Sequence, residues 1–150
     1  KFALIDMEYI MENIPAYQRA NNELQLASQQ YQKAIEAKMK EAETLYTAYQ
    51  KASATLSAAQ RTQKEEAIIA KEKEAAELRQ KYFGPEGEMA KKQETLIGPI
   101  QDKIYEIVKK ISLQHNYDAV IDRASASSII FASPRIDISN EVLSRLGYSN

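Results

Sequence analysis

The feature that most constrains the fold is a long stretch without helix-breaking residues. From Ala16 to Phe83 the chain contains neither glycine nor proline. Alanine, glutamate, glutamine and lysine dominate the stretch, and these residues lose little side-chain freedom in a helix. A single helix of this length would extend about 100 Å. The composition therefore predicts long helices packed as a coiled coil.

Apolar residues recur along this stretch at intervals of seven residues, which predicts a packing seam between two helices. The repeat includes Ile35, Ala42 and Tyr49 in the first half, and Ile68, Ala75 and Tyr82 in the second. Between the halves, Ser53–Ala59 is poor in charge, and Ser57 is suited to cap a returning helix. We therefore predict an antiparallel hairpin, with an outgoing helix over about 16–55 and a return over about 58–111.

The return helix must be interrupted at Gly84-Pro85-Glu86-Gly87, because proline inside a helix costs about 3 kcal/mol. Apolar residues resume from Leu96 to Ile111 and predict a further helical face. Pro99 falls within this pattern and predicts a second kink or a helix restart near Gly98.

The two ends of the chain have a different character. Short apolar runs predict strands at Lys1–Met7, Tyr117–Asp122 and Ser128–Ala132, and a last helix is expected over Asn140–Leu146. Three short strands bury little core and leave open edges, which favours sheets joined between chains. We predict a mainly α fold in which residues 1–15 and 112–150 form a small β-containing body and 16–111 form the arm. The predicted body core or oligomer interface comprises Phe2, Leu4, Ile104, Ile107, Ile111, Val120, Ile121, Ile130 and Phe131.

Charge and composition narrow the function classes. The chain carries 20 Lys+Arg and 21 Asp+Glu, and this balance argues against nucleic-acid binding, which needs an excess of basic residues. There is no cysteine, and no apolar run approaches the roughly 20 residues of a membrane span. The chain begins at Lys1 rather than methionine, which is expected after removal of a signal peptide or after trimming.

No catalytic, cofactor or metal site is predicted. His115 is the only histidine and is expected to cap a helix or lie at the surface. Asp6, Asp118 and Asp122 are expected at strand ends, paired with Arg123 or Arg135, rather than in a metal or acid–base cluster.

Several segments, taken in order, resemble the Skp/OmpH family of periplasmic outer-membrane-protein chaperones. The resemblance lies in Phe2–Met7, Ala37–Lys40, Ile104–Lys110, the Asn116–Asp122 strand and the closing Asp137–Leu143 segment. It implies a homotrimer with a small β-barrel shared between chains, from which helical arms enclose unfolded outer-membrane β-barrel proteins without ATP. It also implies a periplasmic location and allows membrane contact without integration. The best-known members of this family are strongly basic whereas this chain is near neutral, so no basic lipopolysaccharide site is carried over.

Within the resemblance, the apolar stripes of the arms have two interpretations. They are either the seam of the hairpin, or they include a surplus that faces the client. The candidate client-binding residues are Tyr31, Ile35, Met39, Tyr46, Tyr49, Ile68, Ile69, Tyr82 and Phe83. The alternative function is a structural coiled-coil spacer or scaffold that binds one folded partner and buries all of its apolar residues. A prefoldin-like chaperone fits less well, because it does not call for a C-terminal strand followed by another helix.

Overall fold

The structure, a computed structural model, describes residues 1–148. The elements, in chain order, are β1 (Phe2–Ile5), α1 (Met7–Glu12), α2 (Pro15–Ala52), a 3-10 turn (Ser53–Thr55), α3 (Ala58–Phe83), α4 (Glu88–His115), β2 (Ala119–Asp122), a second 3-10 turn (Pro134–Ile136) and α5 (Ser139–Arg145). The chain divides into two compact units. The β-containing unit comprises Lys1–Asn22 and Gln93–Asn150, and the hairpin unit comprises Glu23–Lys92. The last two residues of the predicted body, Ser149 and Asn150, lie outside the described residues.

The predicted turn between the two long helices is confirmed. Ser57 caps α3 through a reciprocal pair of hydrogen bonds: its hydroxyl accepts from the Gln60 backbone N–H at 3.1 Å, and the Gln60 side chain accepts from the Ser57 N–H at 2.9 Å. Such a capping box satisfies two N–H groups that a helix start leaves unpaired. At the other end, α2 begins with Pro15, where the missing N–H costs nothing.

The break at Gly84–Gly87 is also confirmed, since α3 ends at Phe83 and α4 starts at Glu88. Of the two outcomes predicted near Gly98, the helix restart is wrong, because α4 runs through Pro99 without interruption, and the kink stays a prediction. The proline removes a single hydrogen bond from the helix. Ile97, Ile104 and Ile111 on either side of it are buried, and their packing keeps the helix continuous.

The two strands form a parallel pair, in which Phe2 lies opposite Ala119 and Ile5 opposite Asp122. The other edge of β1 is occupied by a bridge from Leu4 to Asp137. The predicted third strand, Ser128–Ala132, is wrong for the single chain: the segment is irregular and pairs neither with β1, whose two edges bond β2 and Asp137, nor with the outer edge of β2. Within residues 1–148 there is accordingly a two-stranded sheet and no closed barrel.

The core of the β-containing unit lies where α1 and α5 meet the buried face of α4. Its largest fully buried side chains are Ile10, Ile104, Ile111 and Val142. Among the predicted core residues, Leu4, Ile104 and Ile111 are buried, and Ile107 and Val120 are partly buried.

Four members of the predicted set do not belong to the core of the chain: Phe2, Ile121, Ile130 and Phe131 are exposed. For Ile130 and Phe131 the reason is the missing strand, because the irregular segment that carries them has no sheet to pack on. As parts of an oligomer interface these residues stay predictions.

Candidate functional site

Helices α2 and α3 of the hairpin unit pair antiparallel along a narrow apolar seam. Contacts join Tyr31 to Tyr82 near one end and Tyr49 to Glu65 near the other, so partner numbers fall as the α2 numbers rise. Between these points the seam is made by side chains that are almost fully buried, namely Ile35, Ala42, Ile68 and Ala75. Ala42 and Ala75 are small, and they leave room on either side of the seam.

On one side of this seam, four charged residues connect α2 to α3. Lys71 Nζ lies 3.1 Å from Glu41 Oε2 and 3.5 Å from Glu74 Oε2, and Lys38 Nζ lies 3.6 and 3.4 Å from the same two carboxylates. The hydrogen bond from Lys71 lowers the pKa of Glu41, and the same bond raises the pKa of Lys71. We call these four residues the ion-pair lattice. Each charge in it has two partners of opposite sign.

The other side of the seam is an open groove with a volume of about 800 Å³. Met39 and Tyr46 project from α2 along it and are 49% and 50% exposed. On the α3 side, Arg79 donates a hydrogen bond to the Met39 sulfur at 3.5 Å. The remaining lining residues are Glu36, Lys40, Ala42, Glu43, Glu72 and Ala75.

The apolar surface of this side continues along α3 beyond the groove. Ile69 lies one helical turn before Glu72, and Phe83 one turn after Arg79, so both share the face of α3 that lines the groove. Ile69 is 61% exposed and Phe83 is 39% exposed. We call the surface formed by Met39, Tyr46, Ile69 and Phe83 the apolar face.

The structure thus divides the predicted client-binding residues into two groups. Met39, Tyr46, Ile69 and Phe83 are exposed on the apolar face. Tyr31, Tyr49 and Tyr82 are half-buried in the seam. Ile35 and Ile68 are buried, so the prediction that they contact a client is wrong for the hairpin as it stands. Their side chains hold α2 and α3 together instead.

Nearer the turn, the seam depends on polar contacts. From Ala58 to Ala67, α3 presents no buried side chain and no apolar residue larger than alanine. The Tyr49 hydroxyl donates to Glu65 Oε1 at 2.6 Å, and this bond raises the pKa of Tyr49. Arg61 Nε donates to the Ser53 carbonyl at 3.0 Å.

The residues weighed as catalytic or metal ligands have structural partners. His115 ends α4, lies 3.6 Å from Glu141 and stacks on Tyr117. Asp6 caps α1, and Asp122 accepts from the Met7 N–H at 3.1 Å.

The expected pairing of these aspartates with Arg123 or Arg135 is wrong, because Arg123 binds Asp137 at 3.3 Å. Asp118 lies beside the Lys1 amino group. Among residues 1–148, no three His, Asp or Glu side chains are grouped to hold a metal ion.

Sequence reasoning missed the charged residues that distinguish the two sides of the seam. The signal was present, because Lys38 and Glu41, like Lys71 and Glu74, are three residues apart with lysine first. Such pairs lie on one helix face, and two of them on facing helices form a four-membered lattice. Which face they occupy depends on the register of the hairpin, and composition does not fix that register.

Comparison with known proteins adds the family. The profile of the outer membrane protein (OmpH-like) family matches residues 1–146, nearly the whole chain. The chain belongs to the OmpH-like family. No curated protein sequence matches it.

The fold is similar to that of a solved OmpH-like protein. The crystal structure is from Caulobacter crescentus CB15 and is described as that of a candidate outer membrane chaperone. The match has a TM-score of 0.71 and 12% sequence identity, and it covers 97% of this chain and 82% of the other. At this identity the similarity establishes the fold alone. None of the helices in residues 1–148 has the length and apolarity that a membrane span requires.

Proposed function

We propose that this OmpH-like chain is an ATP-independent holdase chaperone that sequesters unfolded outer-membrane β-barrel proteins in the periplasm. The observation that supports it best is the asymmetry of the hairpin unit. One side of the seam carries paired charges, and the other carries Met39, Tyr46 and Ile69, each about half exposed or more. Exposed apolar surface grouped on one face is typical of interaction sites.

The chemistry of the apolar face suits clients without a fixed shape. Methionine is flexible and polarisable, and tyrosine offers a broad apolar ring with a polar edge. Surfaces of this kind accept many partners because they can repack around each of them. A folded, specific partner would instead need rigid complementarity, which an open groove of flexible side chains does not offer.

We further propose that the hairpins of a homotrimer act together on one client. Each contact is weak, but several hairpins raise the effective concentration of binding surface and the total affinity. Release needs no hydrolysis, because a client that folds into the membrane no longer exposes the apolar segments that were bound. Any membrane contact of the chain is proposed to be peripheral, without insertion into the bilayer.

The alternative, a structural spacer, predicts that the hairpin buries its apolar residues completely. The exposed residues of the apolar face favour the holdase over the spacer. The two differ in solution, since a spacer leaves an unfolded client free to aggregate.

The test is to dilute a urea-unfolded outer-membrane β-barrel protein into the chain without nucleotide, and to follow client turbidity and complex mass by light scattering. The wild type is expected to keep the client in a stoichiometric complex. Replacing Met39, Tyr46 and Ile69 with serine should abolish this without loss of helicity. Ile69→Ser and Leu26→Ser form a matched pair, since the two side chains are 61% and 60% exposed but only Ile69 belongs to the apolar face. If the wild type leaves the client to aggregate, the holdase proposal fails.

A further inference from the structure

Carboxylates outnumber cations around the groove beside Met39 and Tyr46. Glu36, Glu43 and Glu72 line it, against Lys40 and Arg79. Within residues 1–148 none of these three glutamates is part of an ion pair, whereas every charge of the ion-pair lattice across the seam is paired. The groove therefore presents negative charge without internal partners.

The two cations compensate this charge only in part. Arg79 is directed at the Met39 sulfur, where it lies beside the apolar residues. Lys40 also lines the depression on the opposite side of α2, beside Glu41 and Leu45, which places it on the outer ridge of the helix. The inner rim is thus mainly carboxylate on both helices, with Glu43 on α2 and Glu72 on α3.

From this arrangement we infer that the groove selects unfolded segments in which an apolar or aromatic side chain stands next to a lysine or arginine. The apolar side chain packs on Met39 and Tyr46 over the Ala42–Ala75 floor. The long stem of the neighbouring cation lies along the same apolar surface while its charged end reaches a rim glutamate. Tyr46 adds a ring face that attracts a cation. The inference rests on the proposed function and names the client segment that this site takes.

The selection of client segments depends on charge complementarity rather than on the size of the groove. A volume of about 800 Å³ is within the range that accommodates a ligand of a few residues, and it does not itself discriminate between them. Unpaired carboxylates favour cationic partners and repel acidic ones, and such electrostatic matching mainly determines which partner is accepted. A segment with aspartate beside the apolar residue would place like charges together at the rim.

The experiment uses the full chain and two unstructured peptides with the same tyrosines and leucines in Gly-Ser spacers. One peptide carries lysine beside each apolar residue and the other carries aspartate. Fluorescence anisotropy at low ionic strength is expected to give about tenfold tighter binding of the lysine peptide, and the preference should shrink as salt is added. The triple variant Glu36→Gln, Glu43→Gln, Glu72→Gln should bring the two affinities within about twofold of each other.

A second triple variant, Glu66→Gln, Glu77→Gln, Glu86→Gln, is the matched control. It changes the net charge equally through exposed glutamates that do not line this groove, so it should keep the preference. Equal loss in both variants would reduce the effect to overall charge and overturn the inference. Equal or tighter binding of the aspartate peptide by the wild type would also overturn it, and the holdase would stand if the β-barrel client is still kept from aggregating. If neither peptide binds and the client aggregates, the proposed function itself has failed.

Discussion

Tyr31 of α2 and Tyr82 of α3 stack face to face, with ring centroids 4.1 Å apart and planes within 7° of parallel. Phe83 meets the Tyr31 ring edge-on at 6.2 Å, and Lys81 Nζ lies 5.5 Å from the centre of the Tyr82 ring. Tyr82 and Phe83 are the last two residues of α3, immediately before the Gly84–Gly87 break. They fix the register of the hairpin at the point where α3 ends, and so they determine which residues lie on the apolar face.

We expect Tyr82→Ala to lower the free energy of unfolding by about 2 kcal/mol, because it removes a half-buried ring and its stacking contact with Tyr31. Tyr82→Phe keeps the ring and should stay within about 0.5 kcal/mol of the wild type. Urea unfolding followed by circular dichroism at fixed protein concentration measures both. An alanine variant as stable as the phenylalanine variant would show that the stack does not hold the hairpin.

The break itself depends on glycine at position 87. A Cβ atom there would lie 2.7 Å from the Lys81 carbonyl oxygen and 3.0 Å from the Gly84 nitrogen, both of them backbone atoms. We expect Gly87→Ala to destabilise the chain by about 1–3 kcal/mol, since the backbone must shift to make room. The thermal unfolding midpoint by circular dichroism reports the change.

Gly98→Ala is the matched control for this substitution. Gly98 lies within α4, and beyond its chain neighbours and its own helix backbone a Cβ atom there would meet Glu94 Cγ, at 4.0 Å. Alanine is the better helix former, but a Cβ at position 98 would meet the Cδ of Pro99 in a helical backbone, so the two effects oppose each other and the variant should stay within about 1 kcal/mol of the wild type. A clearly larger loss for Gly87→Ala is the expected result, and equal destabilisation would contradict the tight packing of the break.

Signals within a few residues of each other predicted the local parts of the fold. The Ser57 cap and the Gly84–Gly87 break each follow from chemistry that neighbouring residues supply. Ser128–Ala132 has the composition of a strand, but a strand forms only where it pairs with a neighbour, and among the described residues this segment pairs with neither β1 nor β2. Strand pairing depends on residues that are far apart in the chain, and the periodicity of a local segment carries no information about them.

In the candidate site, too, local sequence does not determine which of two neighbouring residues is buried. Ile68 and Ile69 are adjacent and chemically identical, yet they are 7% and 61% exposed. Successive residues on a helix point about 100° apart, so only one of the two can face α2. The heptad pattern predicted the seam, but the position of α2 determines which of the two isoleucines is buried in it.

The exposed Ile130 and Phe131 test the proposed oligomer. We expect wild-type chains to give a mass near three chains by light scattering, and Ile130→Ser with Phe131→Ser to reduce it towards one chain while helicity is retained. The reason is that these two large apolar side chains of the irregular segment are almost fully exposed in the described chain. Leu26→Ser, an exposed substitution in the hairpin unit, should leave the mass unchanged. An unaltered mass in the double variant would exclude these residues from the interface.

The ion-pair lattice predicts a defined pH dependence for the hairpin. The pKa of Glu41 is held below its ordinary value of 4.5, chiefly by the hydrogen bond from Lys71, so its contribution is complete above that value and is lost as the pH falls through the folded-state pKa. The pKa of Lys71 is raised above 10.5 by the same bond, so its contribution is complete below that value and is lost as the pH rises through the folded-state pKa. Stability from the lattice should therefore be constant from about pH 5 to 10 and fall outside this range.

Thermal midpoints of the wild type and Glu41→Gln, compared across pH, isolate this contribution from other titrating groups. The wild type should be the more stable at neutral pH, and the difference should disappear as Glu41 becomes protonated in acid. It should also shrink in 1 M salt, because the four side chains are only partly shielded from solvent. Glu66→Gln removes an exposed glutamate that has no ion-pair partner in the described chain, so its difference from the wild type should not follow this profile. A Glu41→Gln difference that persists unchanged at pH 3 would mean that the side-chain amide, and not the lost charge, disturbs the seam.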